Sequence, residues 1–177
     1  LCRGLGIEEN IIIKAVGNFK KVKGRVEKIE EGQDFTVIVD YAHTTDSLEK
    51  LYKIFRDSRK ICVLGGTGGG RDNWKRKEMG RIADTYCDEI ILTNEDPYDE
   101  NPEKIVRDVA EGIKNKVPKI IMDRREAIRE AIALARTNDT ILITGKGTDP
   151  YIMGPSGTKI PWSDAGIARE ELKNISG

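Results

Sequence analysis

Residues 60–93 read KICVLGGTGGGRDNWKRKEMGRIADTYCDEIILT, and their pattern decides the architecture. Two short apolar runs, 60–64 and 89–93, flank a stretch at 75–86 in which apolar residues recur at helical spacing. The runs are short and mostly β-branched, so each reads as a strand buried on both faces, joined by an amphipathic crossover helix. The alternation continues outward. Further strands are expected at 36–39, 119–122 and 140–144, and helices at 47–56, 102–115 and 124–135, the last two opened by Pro102 and Asp123. Ile105, Val109, Gly112 and Ile113 mark the buried stripe of the 102–115 helix. Strand–helix alternation at this spacing implies right-handed crossovers and an α/β fold with a doubly wound, largely parallel sheet. Ligands then belong in the loops at the carboxyl ends of the strands.

Both ends fall outside this alternation. Residues 1–19 carry a helical apolar pattern (Leu5, Ile12, Val16, Phe19) that runs into the basic stretch KKVKGR and an expected edge strand at 25–30. Residues 145–177 offer a loop, a short strand at 158–161 and a helix beginning near Asp164.

Composition excludes several classes. The chain has 177 residues, 38% hydrophobic and 34% charged, which describes a folded domain with a charged exterior. Lys plus Arg and Asp plus Glu are both 30, and a domain that bound nucleic acid through its phosphates would carry a basic excess, so no nucleic acid partner is expected. No apolar run approaches the roughly 18 residues of a membrane span, and the first residues lack the order of a signal peptide. Cys2, Cys62 and Cys87 are odd in number, far apart and without a CxxC pair. Neither a disulfide framework nor a metal site is expected, and a reducing, cytoplasmic compartment fits.

The strand ends deliver polar residues to one edge. DYAHTTD places Asp40 and His43 beyond the first core strand; GGTGGGRDNWKR follows the second, TNEDPYDENP the third and GKGTDPY the fifth. The glycines at 65–70 let backbone amides approach an anion, although the stretch lacks both the GK[ST] ending of a phosphate-binding loop and the dinucleotide fingerprint, and a plain flexible turn explains it equally. His43 reads as a phosphate donor, a general base or a surface residue. Asp40 reads as a ribose acceptor, a metal-orienting group or a helix cap, a role open also to Thr44 and Thr45. Lys146, between two glycines, reads as an anion ligand or as an exposed side chain. Residues 98–103 form by default a solvated acidic loop, and packing accounts for Trp74 and Trp162.

Taken together, GRVEKIEEGQDFTVIVDYAHTTDSLEKL (24–51), CVLGGTGGGRDNWKRKEMGRIA (62–83), ILTNEDPYDENP (91–102), DRREAI (123–128) and LITGKGTDPY (142–151) resemble the carboxyl-terminal domain of the Mur ligases. Within that family they are most similar to the MurE-like UDP-N-acetylmuramoyl-tripeptide synthetases, in order and at family spacing from Val22 to Glu170. The resemblance implies a Rossmann-like, mostly parallel sheet with one antiparallel strand, closing over ATP held by a separate central domain. It implies a division into 1–22, the tail of that central ATPase domain with its linker, and 23–177, the carboxyl-terminal domain. Position by position, Arg25 matches the junction arginine that faces the nucleotide, Asp40 the ribose contact and His43 a nucleotide-side residue. Arg76 matches the arginine of GKRPLMGR that holds the carboxylate of the incoming amino acid, and Gly145 and Gly147 match the GKGHE loop.

Two departures bear on substrate. Where family members that use diaminopimelate read DNPR, this chain has Glu95, Asp96, Pro97 and Tyr98, and the His-Glu of the last loop is replaced by Thr148 and Asp149. A substrate carboxylate facing Asp96 without an arginine would be repelled by about 3–4 kcal/mol at about 4–5 Å and an effective dielectric near 20. That reading disfavours diaminopimelate and favours lysine or ornithine, with Glu95, Asp96, Tyr98, Gly147 and Asp149 lining the amino-acid site beside Arg76. The resemblance further implies an ATP-dependent ligase that adds the third stem-peptide residue of peptidoglycan to a UDP-N-acetylmuramoyl dipeptide through an acyl phosphate. The phosphate-binding lysine and the Mg2+ ligands belong to the central domain, in cis or in trans, so no catalytic residue is expected in these 177 residues and the piece should be inactive alone. The alternatives are a non-catalytic Rossmann-like module binding an amino acid or nucleotide, or another member of the superfamily such as a folylpolyglutamate synthetase.

Overall fold

Every residue of β3 (Lys60–Leu64) and β6 (Thr140–Thr144) is buried. In the computed structural model, which describes residues 2–18, 22–70 and 72–175, these strands lie at the centre of a six-stranded sheet of order β1-β2-β6-β3-β4-β5. The other members are β1 (Glu27–Ile29), β2 (Thr36–Asp40), β4 (Glu89–Leu92) and β5 (Lys119–Ile120). All pairings are parallel except β1 with β2, which gives the single antiparallel edge. The expectations that rest on Leu1, Phe19 and Arg71 lie outside the described residues.

The apparently continuous apolar runs resolve into two faces of period two. Ile38, Cys62, Leu64, Ile90, Leu92 and Leu142 pack under α2 (Thr45–Ile54), α3 (Trp74–Tyr86) and α4 (Pro102–Ala110). Val37, Val39, Ile61, Val63, Ile91, Ile141 and Ile143 pack under α5 (Arg124–Leu134) and α6 (Asp164–Ile175). Three crossovers run one way along the sheet with their helices on one face; the chain then returns through α5 on the other face to insert β6 between β2 and β3. After β6 the chain leaves through a hairpin, β7 (Tyr151–Met153) and β8 (Lys159–Pro161). The segments following β2 and β3 therefore diverge from the one following β6, and a crevice opens at their carboxyl ends.

Local chemistry explains the boundaries. Thr44 caps α2 in a reciprocal capping box with Ser47, so Asp40 is not the cap. Asn101 and Asp123 cap α4 and α5, accepting from Lys104 and Glu126 amides at 3.0 and 2.9 Å. Helix α4 stops at Ala110 rather than 115 because the Asp84 carboxylate takes the amides of Lys114, Asn115 and Lys116 at 3.1–3.2 Å, drawing the chain out of helical register.

Other expectations are corrected. β5 is a two-residue exposed edge strand, not a doubly buried one. Helix α1 (Glu9–Gly17) contributes no buried residue despite its apolar pattern. Trp74 is exposed, so packing does not account for it, whereas Trp162 packs on the α5–α6 core and donates to Asp164 at 2.8 Å. Cys62, on β3, and Cys87, just past α3, form a disulfide that a separation of 25 residues did not suggest. The expectation of a reducing compartment rested on unpaired thiols and loses that support. Among the described residues no helix is long and apolar enough to cross a membrane.

Candidate functional site

The polar residues foreseen at the strand ends do converge, but into three distinct settings. A cleft of about 360 Å³ is lined by His43 from the loop after β2, Thr67, Gly68 and Lys75 from the glycine-rich turn and α3, and Arg76 and Tyr98. Gly147 and Asp149 face a second cleft, with Lys23 and Arg169 on its walls. Glu95 and Asp96 are buried and line neither cleft.

On the side of β2, Asp40 ends its strand with both carboxylate oxygens held by main-chain amides, Val26 N at 2.7 Å and Ala42 N at 2.7 Å. The next residue, Tyr41, is an aromatic platform. The Arg25 guanidinium lies 4.5 Å from its ring centroid, and the His43 ring meets it edge-on at 4.7 Å. His43 donates from Nδ1 to the Tyr41 carbonyl at 2.8 Å, which fixes the tautomer and leaves Nε2 as the acceptor. Burial and the neighbouring Asp149 carboxylate push the Tyr41 phenol above its usual range. Arg25, Tyr41 and His43 thus offer a cationic, stacked surface suited to a nucleotide.

Arg76 reaches the first cleft with both terminal nitrogens engaged and, among the described residues, no partner on Nε. It donates to Asp108 at 2.9 Å, to Glu100 at 2.8 Å and to the Thr67 carbonyl at 2.9 Å, and it is 2% exposed. Glu100 is therefore no solvated loop residue; it couples Arg76 to the glycine-rich turn through the Gly70 amide. Tyr98 stands at the cleft edge with φ 51°, a left-handed conformation rare outside glycine.

The buried layer below is where sequence reasoning fell short. Lys146, read as an anion ligand or an exposed side chain, is 1% exposed and grips Asp96 through both oxygens at 2.8 and 2.6 Å. The repulsion expected between Asp96 and a substrate carboxylate loses its ground, because that charge is neutralised inside the protein. Burial raises the Glu95 carboxyl above its usual range; among the described residues Oε1 accepts from the Thr67 hydroxyl at 3.0 Å and Oε2 has no partner. Arg124, within the DRREAI motif but given no role, lies under the same layer, donating to the carbonyls of Thr144 at 2.7 Å and Asn94 at 3.2 Å and pairing with Asp164. Its only sequence signal was an arginine directly after the Asp123 cap.

The strand end carrying Asp40 and His43, a glycine-rich turn and a GKG loop thus share one sheet edge, and a family profile described as "Mur ligase, glutamate ligase domain" matches residues 24–147. The chain belongs to the Mur ligase family. A Mur ligase from Syntrophomonas wolfei, named UDP-N-acetylmuramoyl-L-alanyl-D-glutamate--2,6-diaminopimelate ligase, is 47% identical over 153 residues, 82% of this chain and 31% of its own length. A solved structure of a Mur ligase with that name superposes with a TM-score of 0.80 at 28% identity, over 99% of this chain and 36% of the other. The bifunctional folylpolyglutamate synthase/dihydrofolate synthase of Yersinia pestis matches with a TM-score of 0.60 at 15% identity over 97% of this chain and 35% of its own, which is a likeness of fold alone. The chain spans about a third of the length of the Mur ligases it matches.

Proposed function

We propose that this chain is the carboxyl-terminal domain of an ATP-dependent ligase that joins 2,6-diaminopimelate to UDP-N-acetylmuramoyl-L-alanyl-D-glutamate, the third-residue step of the peptidoglycan stem peptide. The carrying observation is the internal neutralisation of Asp96 by Lys146: an acidic loop that had argued for an ammonium-ended substrate presents no free Asp96 charge to the cleft. The names of relatives at 47% and 41% identity support diaminopimelate in place of the lysine or ornithine expected from the loop alone.

In this reading residues 1–22 belong to a preceding central domain and its linker, and 23–177 close over the nucleotide that domain binds. ATP would supply the phosphoryl group that activates the dipeptide carboxylate, with Mg2+ held by the central domain. This chain's own residues bind and orient. Arg25 and His43, braced on Tyr41, face the nucleotide, and Asp40 holds the backbone that carries them. Arg76 shapes the amino-acid cleft through Glu100 and Thr67, with Tyr98 at its edge; Glu95 and Asp96, buried in the loop that carries Tyr98, support it, and Gly147 and Asp149 would contact the substrate from the second cleft. No residue of this chain is assigned bond-making chemistry.

The test is a ligation assay on the full product of the gene encoding this chain, with ATP, the UDP-muramoyl dipeptide and diaminopimelate, lysine or ornithine. Diaminopimelate should lead in kcat/KM by at least about tenfold, equivalent to about 1.4 kcal/mol of transition-state discrimination. A preference for lysine or ornithine overturns the substrate assignment, and ATP turnover by residues 1–177 alone overturns the division of labour.

A further inference from the structure

Lys146 sits in a loop between two glycines, yet its side chain is 1% exposed and Asp96 is its close partner, with Asp149 more distant at 3.7 Å. An ammonium leaves water only when a fixed partner replaces its hydration. The loop is built to turn it inward. Gly145 and Gly147 have φ of 108° and 51°, and a Cβ on either would stand 2.2 Å from Glu95 Oε2 or 2.7 Å from Tyr41 Cβ. The flanking glycines thus serve the close approach of this loop to the loops after β4 and β2, and the lysine is what that approach encloses.

Asp96, its partner, is a junction. Its Oδ1 also accepts from the Met153 amide of the β7–β8 hairpin at 2.8 Å, and its main-chain carbonyl accepts from Gly68 of the glycine-rich turn at 2.7 Å. The hairpin returns the bond, as the Met153 carbonyl accepts from the Tyr98 amide at 3.0 Å. Four separate segments therefore meet at one residue, and one buried cation grips its carboxylate.

We infer that Lys146 is a positioning residue of the amino-acid cleft: its ammonium locks Asp96, and through Asp96 it fixes the glycine-rich turn, the β7–β8 hairpin and Tyr98 in one arrangement. The inference rests on the reading of that cleft as the amino-acid site. A pair of apolar residues would fill the same space with similar stability, but only a charge gripped by both oxygens orients the carboxylate toward the hairpin amide.

Two experiments test it. In Lys146→Met, amide hydrogen exchange on the 177-residue chain should show the Tyr98 and Met153 amides losing protection by at least about tenfold while Leu142 in β6 keeps its own. In the ligation assay, the same variant should raise the diaminopimelate KM about tenfold with kcat and the ATP KM within about twofold. The double variant Lys146→Met/Asp96→Leu, which removes both buried charges, should melt close to the wild type and keep the raised KM; it also decides the matter if the single variant fails to fold. Wild-type protection at Tyr98 and Met153 in folded Lys146→Met, or a KM restored in the double variant, overturns the inference. Loss of protection in an enzyme indifferent to diaminopimelate would instead sink the substrate reading and leave the lock standing.

Discussion

The Asp40 carboxylate holds the amide of Val26 at 2.7 Å while Val26 itself sits at φ 46°, a left-handed conformation that a β-branched residue adopts only under constraint. The strain, about 1–2 kcal/mol for an L-residue, is offset because the turn also aligns Gly24, whose carbonyl accepts from the Tyr41 amide at 2.9 Å. The segment carrying Arg25 is thereby tied to the strand end that carries Tyr41 and His43. Asp40→Ala orphans two amides and should cost about 2–4 kcal/mol in urea unfolding. Val26→Gly relieves strain but loses a half-buried side chain and adds backbone entropy, and should lie within about 1 kcal/mol of wild type. The double variant should cost less than the sum by about 1 kcal/mol, since a glycine needs no carboxylate to hold it there. Strict additivity would show that Asp40 does not hold the strained turn.

Arg76 connects three segments through Asp108, Glu100 and Thr67, so Arg76→Met should lower stability as well as disturb the cleft that it lines with Tyr98. Its acceptors are about three-quarters covered, so some hydration survives and the loss should be about 2–3 kcal/mol, below that of a fully buried pair. Arg76 and the Gly70 amide hold the Glu100 carboxyl below its ordinary 4.5. Burial pushes Asp108 up, but hydrogen bonds from Lys104 and Arg76 outweigh it and keep the group below 3.8. A carboxylate whose folded value lies below its unfolded value contributes fully above the unfolded value, and that contribution fades as pH falls through the folded one. The gap between wild type and Arg76→Met should thus be widest near neutrality and shrink below about pH 4. A gap independent of pH would mean that the arginine acts through packing alone.

Helix α3 meets α4 and the turn just after it backbone to backbone at two glycines. A Cβ on Gly80 would stand 1.9 Å from the Val109 carbonyl oxygen, and one on Gly112 would stand 1.9 Å from that of Lys77. Alanine gains about 1 kcal/mol of helix propensity over glycine, but a clash with backbone cannot be relieved by a rotamer change. Gly80→Ala should therefore destabilise by about 1–3 kcal/mol in thermal or urea melts. Gly17, near the end of α1 with nothing within 4 Å of the added carbon, is the control and should be unharmed as alanine. An equal response at both sites would refute the close crossing.

What the sequence made legible follows the range of the forces involved. The strands read correctly because burial on both faces is written locally in Ile61–Leu64 or Ile141–Ile143, and Asp40 and His43 were found because a polar residue right after such a run must sit at a strand end. The 119–122 run was over-read because its apolar residues resemble a core strand, whereas an edge position leaves Lys119 and Ile120 exposed. Helix α4 was extended because Gly112 and Ile113 continue the helical period, and only Asp84, about thirty residues earlier, ends it. Lys146 was the least legible: its burial depends on Asp96, fifty positions away, and no local pattern distinguishes an enclosed lysine from an exposed one.

In the interior, Arg124 and Asp164 form an ion pair with side chains 1% and 0% exposed, joining the first turns of α5 and α6. Two contacts at 2.8 Å from Nε and Nη2 make it bidentate, and Trp162 donates to the same carboxylate. Asp164→Ala would leave a guanidinium in the interior with only the Thr144 and Asn94 carbonyls, and should cost about 3–5 kcal/mol. Arg124→Met/Asp164→Leu removes both charges and should recover most of that loss, because the desolvation of the pair already consumed much of its attraction. The same carbonyls end β6 and follow β4, and Gly145 and Glu95 are the residues that come next in the chain, so the recovered protein should still show altered exchange at Gly145 and Glu95 amides. If Arg124→Met/Asp164→Leu unfolds as readily as Asp164→Ala, the guanidinium contributes through its carbonyl bonds to the strand ends more than through its partner, and the loops after β4 and β6 depend on it directly.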